Sequence, residues 1–477
     1  MSETPHTIED DPQPPAAEPT VEPEGAASPG AERRRVHDIW VAGTEEPEYV
    51  AHATDEGAQE MLPRDLDPAI RIQQGVAVVD DYLEEPQIIE DERQILNMGP
   101  QHPATHGVLR LHLELEGETI RRVKPIIGYL HTGMEKTAET LNYMQGGTNV
   151  TRMDYLSPLN NELAYALAVE QLLGVEIPAR AQAIRVLMTE LNRIASHLIW
   201  VATFGMDIGA LSMMIYGFRE REAVLAFFEK VTGLRMNHNY IRPGGVAADL
   251  PPGWEDDVDG ALDIVRAGLD DYVDLLNGNP IFIDRTQGVG VITPEEAQAY
   301  GVTGPIARAA GVNFDLRKAF PYSGIEQYDF DIPLGKHGDT YDRYLVRMEE
   351  IRQSMRIVEQ VVETMPAGDY RTDDRKVTPP PRKRIDESME ALIHHFKLFT
   401  EGFKVPAGEV YQAVESPRGE LGMHLVSKGG AKPWRLHVRT PSFATVQALP
   451  VMMTDLLVAD VIATLASLDP VLGDVDR

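Results

Sequence analysis

The sequence contains no cysteine among its 477 residues. This absence excludes disulfide bonds, thiolate nucleophiles, and zinc or iron–sulfur centres that are held by cysteine ligands. If the chain takes part in electron transfer, another chain must therefore supply the redox centre.

Basic residues are also scarce, since 44 lysines and arginines face 75 acidic residues and give a net charge of −31. That balance argues against a nucleic-acid surface and disfavours direct adsorption to anionic lipid. The apolar runs are shorter than the roughly 20 residues that span a bilayer. The acidic N-terminus lacks the basic and apolar regions of a signal peptide. On composition alone, the cytoplasm is the default location.

Large apolar residues are nearly missing from the first 30 positions, which are rich in proline, glutamate and alanine. Such a segment cannot bury enough surface to offset the entropy lost on ordering. We predict that residues 1–90 form an acidic, largely disordered N-terminal extension. The rest divides into an α+β region over 91–150, a helical bundle over 151–400 and a strand/helix region over 401–477.

Apolar and polar residues alternate within the segment 108–115, as they do in a half-buried β-strand. The alternating positions are Leu109, Arg110, Leu111, His112, Leu113, Glu114 and Leu115. A further strand is predicted over Gln94–Met98, and Gly117-Glu118 suits a hairpin turn into a strand over Thr119–Ile126. A small antiparallel sheet is therefore expected at the start of this part.

Apolar residues recur every three to four positions in several long segments, which is typical of helices packed in a bundle. Four of these segments are Ala183–Trp200, Ala210–Val231, Val258–Leu276 and Tyr341–Val362. Strand-like patterns return at Val410–Val414 and Arg435–Arg439, before one more apolar helix over Val451–Leu468. The patterns predict an α+β fold with a central helical bundle and small antiparallel sheet regions near both ends.

The segment from Gly99 to Gly107 is a loop framed by glycine and proline that carries His102 and His106. Histidines four apart suit a metal ion on a helix, but Pro103 disfavours a helix here. Three interpretations remain open at this point: a metal site, a structural loop, and a loop that contacts a ligand.

Three other places combine a helix or turn signal with chemically capable side chains. Arg152-Met153-Asp154-Tyr155 precedes a helix that should start near Ser157-Pro158, where Asp and Ser favour N-cap chemistry. Asp207 lies at the predicted end of a helix and is interpreted on its own as an N-cap of the next. The segment Glu415–Glu420 is a tight turn in which Arg418 is a candidate for burial.

No P-loop, dinucleotide fingerprint, zinc-protease motif or serine elbow is found. The residues alone therefore indicate a mostly helical protein without self-contained catalytic machinery, and they leave its function open.

Taken together, several motifs in this order resemble the D subunits of the proton-translocating NADH:quinone oxidoreductases, known as complex I. They are Asn97–Arg110, Gly128–Gly133, Arg152–Tyr155, Tyr240–Gly245, Asp284–Thr286, Glu415–Gly419 and Arg439–Phe443. The resemblance covers roughly Gln94 to Arg477 and does not include the acidic extension.

That family is related to the large subunit of nickel-iron hydrogenases, so the resemblance implies a fold of that kind. The hydrogenases hold their metals with two pairs of cysteines. The corresponding positions here are Asp154, Ser157, Val471 and Asp474. Because such a metal centre requires soft thiolates, we expect no metal ion in this chain.

The resemblance places a quinone headgroup where the hydrogenases hold their metals. It implies that Tyr155 and His106 donate hydrogen bonds to the quinone and that Asp207 is the partner of His106. It puts His102, Arg152, Asp154 and His238 in the quinone pocket or facing an iron–sulfur cluster of a neighbouring subunit. Arg152 in particular is expected near that cluster.

One position departs from the family pattern. Many members carry a histidine two residues after the arginine that corresponds to Arg235, and that histidine couples reduction of the cluster to protonation. This chain has Asn237 there, followed by His238. An amide does not titrate, so the coupling would require His238 to take over the role.

The implied function is that of the quinone-binding core subunit of a proton-pumping NADH:quinone oxidoreductase, active only within the complex. Its substrate would be ubiquinone or menaquinone. Its partners would be the cluster-bearing subunit, other peripheral-arm subunits and the membrane-arm subunits at the quinone channel, at the cytoplasmic side of the cell membrane. The alternative is a structural scaffold subunit of a hydrogenase-like complex or of a dehydrogenase that uses another donor.

Overall fold

The computed structural model describes the backbone of residues 70–73 and 76–79, and backbone and side chains of residues 93–477. The chain divides into two units after Glu90. In the first unit, strands β1 (Ile70–Gln73) and β2 (Val76–Val79) pair antiparallel. The prediction for the rest of residues 1–90 lies outside the described residues.

The second unit combines helices with small antiparallel sheets. Its strands are β3 (Arg93–Met98), β4 (Arg110–Glu116), β5 (Thr119–Ile126), β6 (Ile241–Arg242), β7 (Gly245–Val246), β8 (Gly408–Ser416), β9 (Gly419–Ser427) and β10 (Arg435–Arg439). Its helices are α1 (Met134–Ala138), α2 (Tyr143–Val150), α3 (Pro158–Leu173), α4 (Ala179–Asp207), α5 (Leu211–Thr232), α6 (Trp254–Leu276), α7 (Pro280–Thr286), α8 (Pro294–Ala299), α9 (Pro305–Ala309), α10 (Leu316–Ala319), α11 (Thr340–Thr364), α12 (Arg382–Ile385), α13 (Met389–Thr400), α14 (Pro441–Gln447), α15 (Leu449–Met453), α16 (Asp460–Leu468) and α17 (Leu472–Asp476).

The first three-stranded sheet has the order β3-β4-β5 and confirms the predicted alternation. The four leucines from Leu109 to Leu115 are buried, while the polar residues between them are half-buried. The leucine face packs on apolar residues of α14, α15 and α16, so the two ends of this unit share one hydrophobic core.

Helix α4 is the centre of the bundle, and it packs against α3, α5, α11 and α16. Twenty-two of its residues are buried, because other elements cover it on several sides. The indole nitrogen of Trp200 donates to the carbonyl oxygen of Ala466 at 2.9 Å, which joins α4 to α16. All four helices predicted for the bundle are present, with α4 longer than the sequence pattern indicated.

The second three-stranded sheet has the order β8-β9-β10. Strands β8 and β9 form a hairpin in which Ser416 pairs with Gly419, so only Pro417 and Arg418 make the turn. At the turn, Gly419 has a φ of +131°, a conformation that favours glycine. A Cβ on Gly304 would lie 2.4 Å from the Cα of Gly419, so the tip of the hairpin is pressed into the body of the unit.

The prediction of one helix over Val451–Leu468 is wrong, because the segment is broken between α15 and α16. The interrupting residues lie along the edge of β5 instead. Ile120 donates its backbone N–H to the carbonyl of Leu456 at 2.8 Å, and Asp455 donates to the carbonyl of Ile120 at 2.8 Å. Apolar periodicity did not reveal this edge pairing, which satisfies backbone groups that a helix would otherwise satisfy internally.

A buried ion network connects α4 with α9, α10, α11 and β8. Its members are Arg193, Arg308 and Arg317 against Glu190, Asp315, Glu350 and Glu415, with His197 at its edge. The guanidinium of Arg308 lies 2.6 Å from Glu350 and 2.7 Å from Glu415. Burial lowers the pKa of His197 to about 4, so that the ring is neutral at pH 7. The network thus sets four carboxyl groups against three guanidinium groups.

Across the described ranges, no helix is both long enough and apolar enough to cross a membrane.

Candidate functional site

The loop with the two histidines is a short 3-10 turn over Pro103–Thr105 between β3 and β4. The Nδ1 atom of His102 accepts a hydrogen bond from the backbone N–H of Ala104 at 3.2 Å, so His102 caps the turn. His106 follows the turn with a φ of +54°, and its ring makes no hydrogen bond with any residue the structure describes. The loop thus has a structural histidine and one that is free to contact a ligand.

The segment before α3 is organised by the carboxylate of Asp154. Its Oδ1 accepts from the backbone N–H groups of Leu156 and Ser157, and its Oδ2 accepts from the Ser157 hydroxyl at 2.5 Å. The predicted helix start is confirmed, but neither Asp154 nor Ser157 caps the helix: Asp154 orders the turn before it, and the backbone N–H of Leu159 in the first turn donates to Asn192 Oδ1 at 3.1 Å. Tyr155, which follows, keeps 37% of its surface exposed.

Arg418, at the tip of the β8–β9 hairpin, is the centre of a buried ion cluster. Its Nη1 donates to Asp154 Oδ2 at 2.7 Å and to the Ser196 hydroxyl at 3.1 Å. Its Nε donates to the carbonyl of Asp469 at 3.0 Å, and its Nη2 lies 2.9 Å from the carboxylate of Asp469. We call Arg418, Asp154, Asp469 and Asp474 the Arg418 cluster.

Helix α17 brings the last member of the cluster, Asp474, to the same place. A Cβ on Gly473 would lie 2.5 Å from the carbonyl oxygen of Met153 and 3.2 Å from the Tyr155 ring. Only glycine therefore allows α17 to approach the Asp154 segment this closely. Burial, followed by the negative charge of Asp154, raises the pKa of Asp474 to about 7.

This raised pKa leads to a prediction for Asp474→Asn. In the unfolded chain the Asp474 carboxyl titrates near 3.9. Because the folded chain holds the proton more tightly, the stability that the protonated carboxyl contributes is complete below about pH 4 and is lost as the pH rises through 7. Asparagine cannot ionise. We expect the unfolding free energy of the variant, relative to the parent, to improve by about 2–3 kcal/mol between pH 5 and pH 7. Chemical denaturation of the purified chain at several pH values measures this.

The matched control is Asp263→Asn, because Asp263 lies on α6 and is exposed. Its difference from the parent should not change above pH 5. If the unfolding free energy of Asp474→Asn also differs from that of the parent by a constant amount between pH 5 and pH 7, then Asp474 is ionised throughout this range and the prediction is wrong.

Both expected donors, His106 and Tyr155, lie within electrostatic reach of Arg418. Although His106 is exposed, desolvation by the protein atoms around it, followed by the charge of Arg418, lowers its pKa to about 4. Partial burial raises the pKa of Tyr155, an effect that Arg418 opposes. The Tyr155 hydroxyl makes no hydrogen bond within the described part of the chain. At pH 7 both groups are therefore neutral, and both can donate a hydrogen bond.

The structure does not form the expected pair of Asp207 and His106. Asp207 is the last residue of α4, and neither an N-cap bond nor an ion pair of its carboxylate is found among residues 93–477. Desolvation is the only cause that raises its pKa, to about 6, so no cation is close enough to affect it. The next helix, α5, begins after Ala210 without a side-chain cap, so the interpretation of Asp207 as its N-cap is wrong. The partnership of Asp207 with His106 stays a prediction.

The residues expected to face a cluster differ in their surroundings. Arg152 is exposed and makes no ion pair within the described ranges. Asn237 has a φ of +53°, and its side-chain oxygen is buried without a hydrogen-bond partner. His238 is buried, its Nε2 lies 3.1 Å from the carbonyl of Arg235, and its ring packs edge-on against Phe228. Burial lowers the pKa of His238 to about 4.

Four cavities and grooves of the structure lie away from Tyr155 and His106. One of about 220 Å³ lies between α2, the β6–β7 turn and α13. Tyr155 and His106 line neither this cavity nor the larger surface grooves. In residues 93–477, no group of three or more histidine, aspartate or glutamate side chains has the geometry of a metal site. Tyr155 and His106 both keep part of their surface exposed to solvent.

The sequence indicated that Arg418 is buried, but it did not indicate that Arg418 organises the site. A signal existed, since an arginine in a two-residue turn that is buried requires an anionic partner. Asp154 was in view as one of the positions that correspond to metal ligands, whereas Asp469 was not. The link between them was missing because they lie 264 and 51 residues from Arg418.

Comparison with known proteins assigns the family. The model of the 49 kDa subunit of respiratory-chain NADH dehydrogenase matches residues 207–477. The NADH-quinone oxidoreductase D 1 subunit of Salinispora arenicola is 56% identical over 407 residues, covering 82% of this chain and 92% of that relative. The D subunit of Acidothermus cellulolyticus is 55% identical over 404 residues (81% and 92%), and the D 2 subunit of Roseiflexus sp. is 56% identical over 391 residues (81% and 94%).

The chain therefore belongs to the family of 49 kDa subunits of respiratory-chain NADH dehydrogenases. It is a subunit of an NADH-quinone oxidoreductase complex, complex I, and the D subunits are the members that it matches. The resemblance stated from the sequence motifs is confirmed.

Proposed function

We propose that the chain supplies the quinone-reducing site of the complex, with Tyr155 and His106 as the hydrogen-bond donors to the quinone. The observation that carries the proposal is that two donors lie beside the buried Arg418 cluster and that neither forms a side-chain hydrogen bond with a described residue. Both side chains lie within reach of the Arg418 charge. The names of the relatives, which are quinone oxidoreductase subunits, support the same chemistry.

The reduction adds two electrons and two protons to the quinone and gives the quinol. Negative charge develops on the two carbonyl oxygens, and donors placed at those oxygens stabilise it. Tyr155 and His106 present one O–H and one N–H for this purpose. The electrons come from an iron–sulfur cluster of a neighbouring subunit, because this chain has no cysteine to hold one.

The protonation states favour this division of roles. Tyr155 keeps its proton at pH 7, because its pKa is raised. His106 is neutral in the free chain, but an anionic quinone oxygen beside it would raise its pKa by favouring the imidazolium. His106 thus takes up a proton when charge develops on the quinone, and then transfers it.

The Arg418 cluster also supports a scaffold related to the hydrogenase large subunit. Asp154 and Ser157, at two of the four expected metal-ligand positions, are hydrogen-bonded to each other. Asp474, at a third, is influenced by the charge of Asp154. We infer that an arginine-centred ion cluster lies where the hydrogenases hold metal ions.

The neighbouring subunits complete the site in this proposal. Tyr155 and His106 are both exposed to solvent in this chain, and in this proposal another chain closes the quinone pocket over them. Arg152, exposed and without an ion pair within residues 93–477, is suited to face the partner's cluster. The cluster-bearing subunit and the membrane-arm subunits at the quinone channel would provide these walls, at the cytoplasmic surface of the cell membrane.

The deciding experiment is a quinone-reductase assay on membranes that carry Tyr155→Phe, with assembly of the complex checked in parallel. Loss of quinone reduction, with normal reduction of artificial acceptors upstream, supports the site. Parental rates in a fully assembled complex would contradict it and would favour a purely structural role.

A second experiment concerns the position of Asn237. Asn237→His introduces a group that titrates near neutral pH, and histidine is tolerated at a positive φ. His238 is neutral at pH 7 because burial lowers its pKa, so it does not replace such a group. We expect the variant to make the reduction potential of the neighbouring cluster fall as pH rises between 6 and 8, by up to about 60 mV per pH unit. Redox titrations followed by electron paramagnetic resonance measure the potential.

The control for this experiment is His238→Gln, which should leave the potential and its pH dependence unchanged. If the parent complex already shows the full pH dependence and His238→Gln removes it, then His238 performs the coupling and the proposal for Asn237 is wrong.

A further inference from the structure

Helix α13 (Met389–Thr400) is attached to the rest of the molecule by a narrow stripe. Only Ala391 and Leu398 are buried, and His394 and His395 between them are half-buried. Residues at positions i, i+3, i+4 and i+7 lie on one face of a helix. The other faces of α13 are mostly exposed, although Phe399 also lines the cavity beside α2.

The face opposite this stripe is apolar. Its exposed members are Met389, Leu392, Ile393, Phe396 and Phe399. Their spacing of three and four residues places them together on one side of the helix. The exposed fractions are 78% for Met389 and 64% for Phe396. Contiguous exposed apolar surface of this kind marks an interaction site rather than a random feature.

The segment around α13 is cationic, in a chain with a net charge of −31. Residues 371–404 carry eight lysines and arginines against six acidic residues. The eight are Arg371, Arg375, Lys376, Arg382, Lys383, Arg384, Lys397 and Lys404. None of them forms an ion pair with a residue that the structure describes. Most other arginines of the described part do form such pairs.

A groove of about 650 Å³ separates α13 from the segment 369–381. Arg371, Arg375 and Arg384 line it together with His394 of the helix. Asp369, Asp373, Glu387 and Glu390 line the groove as well. The side of α13 that faces the groove is therefore bordered by charges of both signs, and Lys397 lies further along the helix.

We propose that α13 and the segment 371–384 form a docking surface for another protein subunit of the complex, whose contact surface is an apolar patch rimmed by aspartate and glutamate. The five apolar side chains would form the dry centre, and the unpaired cations would meet the acidic rim. Aromatic and methionine side chains at the centre, with charged residues outside, are the usual composition of such an interface.

An anionic membrane surface fits these observations less well. An interfacial helix carries its cations along its own polar face, whereas here Lys397 is the only lysine or arginine on α13 itself. Asp386, Glu387 and Glu390 lie at the start of the helix and would be held against the lipid phosphates. A protein surface accommodates charges of both signs, because its own side chains are arranged to match them.

The first test compares two isoleucines with nearly equal exposure. Ile393 on α13 is 47% exposed, and Ile264 on α6 is 46% exposed. Ile393→Glu places a carboxylate in the proposed dry centre, where its burial is unfavourable. We expect the amount of this chain that co-purifies in the assembled complex to fall at least about tenfold. Ile264→Glu should remain within about twofold of the parent.

The second test places a photo-reactive phenylalanine analogue at Phe396, in the otherwise unchanged complex, with Ile264 as the control position. Cross-links from position 396 to another subunit, at a segment that combines apolar and acidic residues, support the proposal. Cross-links to a segment without acidic residues, or to lipid alone, overturn it. Equal recovery of the Ile393→Glu and Ile264→Glu complexes also overturns the proposal. A third contrary result would be that the full chain floats with vesicles of one-third phosphatidylglycerol and that Ile393→Glu abolishes this flotation.

Discussion

Replacing Tyr155 by phenylalanine should slow quinone reduction by roughly one to two orders of magnitude while leaving electron transfer into the complex intact. The substitution removes one hydroxyl and keeps the ring that packs against Gly473, so the local structure should change little. A hydrogen bond to a group that becomes charged contributes about 1.5–3 kcal/mol, which corresponds to that change in rate. Steady-state assays with short- and long-chain quinones measure the effect.

A suitable control for Tyr155→Phe is Tyr411→Phe. Tyr411 is also an exposed tyrosine, its hydroxyl donates to Glu420 at 2.6 Å in the second sheet, and it is not a member of the Arg418 cluster. Loss of the Tyr411 hydroxyl should leave quinone reduction near the parental rate.

His106→Ala should act at the same step as Tyr155→Phe, and the effects of the two substitutions on the rate should be non-additive, because both donors serve one substrate. Simple additivity would place His106 outside the site.

The structure changes what we expect of Asp207. A role through His106 would make Asp207→Asn and His106→Ala non-additive, but the free chain forms no contact between the two side chains. An effect of Asp207→Asn that adds to that of His106→Ala is therefore the expected outcome.

Replacing Arg418 by methionine should destabilise the chain by about 3–5 kcal/mol, the cost of leaving buried charges without their partner. Asp154 and Asp469 would lose their cation, and Ser196 a hydrogen-bond donor. The positive charge of Arg418 lowers the pKa of Asp469, so its removal raises that pKa further. The loss should therefore be larger at pH 8 than at pH 5.5, where protonation of Asp469 and Asp474 relieves the repulsion in the cluster.

Thermal and denaturant-induced unfolding at the two pH values measure this loss. Arg266→Met is the matched control, because Arg266 is exposed on α6 and pairs with Asp263 and Glu359 at the surface. Such surface pairs contribute at most about 1 kcal/mol, and little pH dependence should follow. If Arg418→Met is no more destabilising than Arg266→Met, the three carboxyls are not held in place by Arg418.

Local patterns predicted those parts of the fold in which neighbours along the chain determine the structure. The leucine alternation from Leu109 to Leu115 placed β4, and the turn at Gly117 placed the hairpin. The helix over Val451–Leu468 failed at Asp455, where pairing with Ile120 of a distant strand outweighs helical periodicity. Such pairing depends on tertiary position, which periodicity in one segment does not record.

The candidate site was likewise predicted from the sequence only where short motifs determine it. Family motifs identified Tyr155, His106 and the four positions of the lost metal ligands, because each motif is a short run of residues. The position of Arg418 between Asp154 and Asp469 depends on a hairpin tip being pressed into the bundle. The absence of a bond between Asp207 and His106 depends on where α4 ends. Neither follows from the residues next to them in sequence.

Helix α4 joins the two buried charge systems through three residues within little more than one turn. Arg193 donates to the carbonyl of Glu415 at 2.6 Å, Ser196 accepts from Arg418, and His197 lies 2.9 Å from Glu350. The acids and bases that meet here come from parts of the chain that lie more than a hundred residues apart. A partly folded chain that docks α4 before α11 or the β8–β9 hairpin would therefore bury charges that nothing yet neutralises. Half-assembled forms are penalised for this reason, so we expect α4, α11 and the β8–β9 hairpin to dock together rather than one after another.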